Sequence, residues 1–127
     1  MGRMWARKGD LSRLSLIVDS PLRRHYNPYV QYEVRSTDTF DNWLDELRDS
    51  RAAAAIARGV VKLSAGLFGN VKPVGEGVSE MKVDVGAGYR VYFITRGQTI
   101  IVLLCGGDKS SQARDIAKAK VMVGELE

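Results

Sequence analysis

Glu80-Met81-Lys82-Val83-Asp84-Val85, Gly86-Ala87-Gly88, Tyr89-Arg90-Val91-Tyr92-Phe93-Ile94-Thr95-Arg96, Gly97-Gln98 and Thr99-Ile100-Ile101-Val102-Leu103-Leu104-Cys105 are the runs that decide the fold. Three β-patterned segments parted by glycine turns read as an antiparallel meander. Alternation sorts the side chains by face. Met81, Val83 and Val85 oppose Glu80, Lys82 and Asp84; Tyr89, Val91, Phe93 and Thr95 oppose Arg90, Tyr92, Ile94 and Arg96. A two-residue turn at Gly86-Ala87 would pair Lys82 with Val91 and mix polar with apolar faces. A three-residue turn, Gly86-Ala87-Gly88, pairs Asp84 with Arg90 and Lys82 with Tyr92, so it is preferred. Gly97-Gln98, with glycine first, suits a two-residue type II′ turn that sets Arg90 opposite Cys105 and Tyr92 opposite Leu103. One sheet face thus gathers Glu80, Lys82, Asp84, Arg90 and Tyr92, with Lys109 arriving just past the third strand.

The remainder of the chain supplies helices to cover such a sheet. Val30 to Arg35 alternates as a strand, and the polar run Ser36 to Thr39 offers N-caps. Phe40, Trp43, Leu44 and Leu47 follow at amphipathic helical spacing. Ser50 is placed to cap a second helix with Ala52, Ile56, Val60 and Leu63 on one stripe and Gly66 as its stop. The short link makes an αα-hairpin whose apolar side must cover a sheet. Leu67 to Gly77, punctuated by Gly69-Asn70, Pro73, Gly75 and Gly77, reads as a loop. Gly106-Gly107 reads as a turn, although glycines before a helix also build phosphate nests. A last helix starts at Ser110 or Ser111, carries Ala113, Ile116, Ala117 and Val123, and frays at Gly124. The expected fold class is α+β: an αα-hairpin and a C-terminal helix around a four-stranded, mainly antiparallel sheet.

Composition narrows the function classes. A chain of 127 residues, 45% hydrophobic and 27% charged, has room for one ordinary globular domain. No segment approaches the roughly 18 apolar residues of a membrane span. The net charge of +4 is misleading until it is located. Residues 1–29 hold Arg3, Arg7, Lys8, Arg13, Arg23 and Arg24 against Asp10 and Asp19; of the 19 basic and 15 acidic residues, 13 of each remain in 30–127. Any nucleic-acid site is therefore a local patch. Residues 1–29 carry no sustained period and read as an extension, disordered or introduced by an upstream start codon, with the folded domain at 30–127. One Cys and one His leave no disulfide framework and no ordinary zinc site, so no metal and no cofactor are expected. A reducing cytoplasm is the expected compartment.

Phe40-x-x-Trp43-Leu44, Gly69-x-x-Lys72-Pro73-Val74-Gly75-x-Gly77-Val78-Ser79-Glu80, Gly88-Tyr89-Arg90-Val91-Tyr92-Phe93, Leu103-Leu104-Cys105-Gly106-Gly107-Asp108-Lys109-Ser110 and Asp115-Ile116-Ala117 together resemble the RelE/ParE superfamily of bacterial toxins. The resemblance is strongest to its HigB-like branch of addiction module killer proteins and spans about residues 30–122. It implies a RelE-like fold and the toxin of a type II toxin–antitoxin system, an endoribonuclease that cleaves mRNA, commonly on the ribosome, and arrests growth. The implied partners are a cognate antitoxin, a small helix-turn-helix DNA-binding protein, and mRNA, with no membrane. Arg90 matches the arginine on the scissile phosphate, Lys82 a basic position of the first meander strand, and Lys109 the basic residue after the last. Asp115 falls where some members stack a tyrosine on a base, Glu80 where others carry a second lysine, and Lys72 joins Tyr92 as a further RNA-binding candidate.

The chemistry suits those residue types. RNA carries its own nucleophile, the 2′-hydroxyl, so a protein need only move protons and stabilise a dianionic transition state. Glu80 is the carboxylate placed to act as base, Arg90 offers a planar fork for phosphate, and Lys82 and Lys109 neutralise charge or protonate the leaving oxygen. The same charges also make sense as a solvated face of cross-strand ion pairs, each worth about 0.2–1 kcal/mol. Two other readings of the family stay open: a ParE-like non-catalytic inhibitor of DNA gyrase, and an inactive phage-derived RNA- or protein-binding module. His25 is given no role; Cys105 is expected to be a small buried hydrophobe and Trp43 core.

Overall fold

The computed structural model describes residues 31–126; residues 1–29, read above as an extension, lie outside that range. Strand β1 (Glu33–Ser36) leads into helices α1 (Asp38–Glu46) and α2 (Ser50–Ser64). Strands β2 (Val71–Gly75), β3 (Val78–Val83), β4 (Tyr89–Arg96) and β5 (Ile100–Asp108) follow, and a 3-10 turn, Lys109–Ser111, opens helix α3 (Gln112–Leu126). The sheet runs β1-β5-β4-β3-β2, with β1 parallel to β5 and the other neighbours antiparallel. The class is α+β, as expected, but with five strands instead of four.

The fifth strand is β2, inside the expected loop. Pro73 hides it, because proline cannot donate to a ladder and survives only at edges or bulges. β2 is such an edge, and its pairing is irregular between Pro73 and Gly75. Its turn to β3 uses Glu76 (φ 54°) and Gly77 (φ 82°), both left-handed as a two-residue primed turn requires.

Both meander hairpins depart from the expected register. Lys82 pairs with Arg90 and Glu80 with Tyr92, because Asp84–Gly88 forms a five-residue connection. The slip is two residues, an even number, so every side chain keeps its expected face. The β4–β5 connection spans 97–99, and a bulge follows between the pairs Phe93–Leu103 and Tyr92–Cys105. Arg90 therefore stands opposite Gly107, and the successive residues Leu104 and Cys105 both pack on the same face. Gly106 and Gly107, expected in a turn, lie within β5.

Helices α1 and α2 cover one face, closing a core of Val34, Phe40, Ile56, Val60, Leu63, Met81, Val83, Val91, Phe93, Ile101 and Leu103. The stripe Ala52, Ile56, Val60 and Leu63 is fully buried, as its spacing anticipates. Thr37 caps α1, and Asp49, not Ser50, caps α2 by accepting from the Arg51 and Ala52 amides. Gly66, at φ 80°, ends α2. Helix α3 crosses the other face over Val78, Tyr92, Ile94, Val102, Leu104 and Cys105 and runs past Gly124 to Leu126. No helix among the described residues is long and apolar enough to cross a membrane.

Candidate active site

Alternation along β3 and β4 turns Glu80, Lys82, Arg90 and Tyr92 toward the face that α3 crosses. Helix α3 covers only part of it. Near its C-terminal half the contacts are apolar, through Ala119 and Met122. Near its start the sheet presents charge.

Glu80 is the hub. Its side chain is 2% exposed, and Oε2 accepts from Tyr92 Oη at 3.0 Å and from Gln112 Nε2 at 2.8 Å. The Arg90 Nε lies 3.8 Å from the same oxygen, and Lys72 Nζ lies 3.7 Å from Oε1. A buried carboxylate is costly unless charge and hydrogen bonds compensate it, and here both do. Arg90 is itself buried; its Nη1 reaches the Gly88 carbonyl at 3.5 Å, and its Nε donates no hydrogen bond.

Around this hub stand three lysines. Lys72 on β2 is 66% exposed and Lys82, opposite Arg90 in the ladder, 50% exposed. Lys82 Nζ lies 3.7 Å from Asp84, so Asp84 pairs with Lys82 and not with Arg90. Lys109, exposed in the 3-10 turn, flanks Gly88: a Cβ on that glycine would lie 3.9 Å from both Arg90 Nη1 and Lys109 Cβ. Gly88, at φ 78°, lies in the left-handed region that favours glycine.

Two of the RNA-binding candidates face inward. Tyr92 is completely buried, and its hydroxyl donates to Glu80. Burial, then Glu80 and Asp115, push its hydroxyl well above the ordinary range, with Arg90 opposing, so it remains a donor. Asp115 is also buried: its carboxylate accepts from Ser111 Oγ and sits directly over Gly107, which has no side chain to obstruct it. It braces the start of α3 and is not offered to solvent as a base contact. Asp108 caps the 3-10 turn, and its bonds from Ser110 hold its carboxyl below the usual range. Cys105 is buried beside the Asp115 carbonyl, and desolvation pushes its thiol up to about 12.

Gln112 is the functional candidate that the sequence reading missed. Its one signal is an amide at the first position of α3, three residues after Lys109. Among the described residues, no group of three or more His, Cys, Asp or Glu side chains is placed to hold a metal ion.

Comparison with known proteins gives three findings. No protein-family model matches the chain. An uncharacterized protein of Haemophilus influenzae is 44% identical over 94 residues, covering 74% of this chain and 95% of its own length. Among solved structures, a chain from the RelBE2 toxin–antitoxin complex of Mycobacterium tuberculosis is similar at a TM-score of 0.45 and 26% identity, covering 63% of this chain and all of that one.

Proposed function

We propose that this chain, which belongs to the same family as the Haemophilus influenzae protein, is the toxin of a type II toxin–antitoxin pair and cleaves mRNA on the ribosome without a metal. The observation that carries the reading is Arg90: a guanidinium paired to Glu80 on a face edged by Lys72, Lys82 and Lys109. Lys72 and Lys82, each paired to a carboxylate, are still 66% and 50% exposed, where a phosphate can reach them. The motif resemblance to HigB-like toxins supports the same reading.

In this mechanism the 2′-hydroxyl attacks its own phosphorus and the bond to the 5′-oxygen breaks, leaving a 2′,3′-cyclic phosphate and a 5′-hydroxyl. Arg90 binds the phosphate through its planar fork as charge builds on the equatorial oxygens. One of Lys82 and Lys109 steadies the attacking oxygen, whose proton passes to water, and the other protonates the leaving oxygen. Glu80, shielded by Tyr92, Gln112 and Arg90, orients the guanidinium and is not the base. The antitoxin partner follows from the same toxin reading.

Induced expression with transcript-end mapping tests it. Wild-type protein should arrest growth and leave 2′,3′-cyclic or 3′-phosphate ends, with cleavage indifferent to chelator once ribosomal magnesium is held constant. Arg90→Ala should lower the cleavage rate by about 10²–10³-fold, the usual loss of one transition-state donor. Cleavage by Arg90→Ala at the wild-type rate, or 3′-hydroxyl ends, would overturn the assignment.

A further inference from the structure

Two hydrogen bonds and an ion pair converge on one oxygen of Glu80, and only one of the three contacts comes from outside the sheet. Tyr92 and Arg90 share strand β4, two residues apart, so neither can be set independently of the other. Gln112 belongs to α3, and its bond of 2.8 Å is the shortest of the three contacts.

The amide is not needed for its own helix. Asp108 already caps the 3-10 turn by accepting from the Ser110 amide, and Gln112 has helical dihedrals (φ −54°, ψ −51°). Its side chain is therefore spent on Glu80 alone. A neutral donor is also the suitable kind. A lysine at that position would compete with Arg90 for the carboxylate, whereas an amide fixes the oxygen and leaves its charge to the guanidinium.

Arg90 is held mainly by that charge. Its Nε is 3.8 Å from Glu80 Oε2, beyond hydrogen-bond reach, and the Nη1 contact to the Gly88 carbonyl is at the outer limit of one. A guanidinium anchored in this way follows its counter-ion: where the carboxylate is set, the fork is set. We infer that Gln112 is a positioning residue, which locks the Glu80 carboxylate so that Arg90 is presented to the phosphate in one orientation. The catalytic part of this inference rests on the proposed nuclease reading; the positional part does not.

The test uses the full chain as wild type, Gln112→Met, Gln112→Asn and Arg90→Ala. Met keeps the length of glutamine without a donor, and Asn keeps the amide but falls short of Glu80. Cleavage of a reporter mRNA on programmed ribosomes gives kcat and KM, and NMR of the arginine Nε–H group reports Arg90 without any substrate. Gln112→Met should melt cooperatively, lower kcat by about 10- to 100-fold as misplacement of a reacting group does, and leave KM little changed. Its Arg90 Nε–H signal should shift and lose exchange protection. Should Gln112→Met fail to fold, Gln112→Asn is read by the same criteria. Wild-type kcat and an unmoved Nε–H signal, with Arg90→Ala inactive, would overturn the inference and leave the nuclease reading standing. An active Arg90→Ala would overturn the nuclease reading instead, and the Nε–H signal would then decide the positional claim alone.

Discussion

Gly106 and Gly107 lie side by side in β5 and receive side chains from opposite layers. The Trp43 ring occupies the space of a Cβ on Gly106, and the Asp115 carboxylate that of a Cβ on Gly107. Trp43 is wedged among Phe40 and Tyr89 at ring separations of 5.8 and 6.4 Å, so it has little freedom to yield. Gly106→Ala should destabilise the protein by about 1–3 kcal/mol, the usual cost of overpacking. Urea denaturation checks this, and a variant as stable as wild type would mean that Trp43 does not rest on β5. The pair also shows where sequence reading stops at this scale. A turn and a close approach demand the same glycine, and only the position of the partner tells them apart. Glu80, Lys82 and Arg90 were legible because strand alternation alone puts them on one face. The burial of Tyr92 was not, since it depends on where α3 crosses, and neither was Gln112, whose direction is set by the preceding 3-10 turn.

Among the elements, the helices were more legible than the strands. Helical stripes are local, so Phe40 with Trp43 and Ile56 with Val60 announce themselves within a few residues. Strand pairing is not local: a five-residue connection at Asp84–Gly88 and a bulge beside Leu104 each displaced the register without leaving a mark in composition. Even so, the net displacement at Arg90 against both neighbours was even, and the polar face survived intact. Cap residues behave more simply. Asp49 accepts from two amides of the first turn of α2, at 3.0 and 3.1 Å, and its Oδ2 lies close to Gly86 of the β3–β4 connection. Asp49→Ala should therefore cost about 0.5–2 kcal/mol, the range for a lost N-cap. Thermal unfolding would register it, and an unchanged midpoint would transfer the capping role to Ser50.

For the whole molecule, the two sheet faces are unequal partners: one is sealed by two helices, and the other is shared between an apolar half and a charged half under a single helix. Two weakly acidic groups on the shared face, a thiol and a phenol, are shifted upward. Cys105 is pushed from 9.0 to about 12, and Tyr92 is raised above its ordinary 10.0, both chiefly by burial. Above pH 9 the native thiol keeps a proton that the unfolded chain has lost, so stability should fall as pH rises from about 9 to 12. Urea unfolding at about pH 8 and about pH 10.5 measures that slope, and Cys105→Ala should flatten it; an identical slope would place the alkaline loss elsewhere. The border of the sheet has a different bearing, on how molecules meet one another. At β2 an incoming strand finds Pro73 with no N–H to give, then a kinked register before Gly75. Ribbon-like stacking of copies along that border is thereby frustrated, so crowded solutions of this protein are guarded there against fibrous aggregation by the same proline that hid the strand.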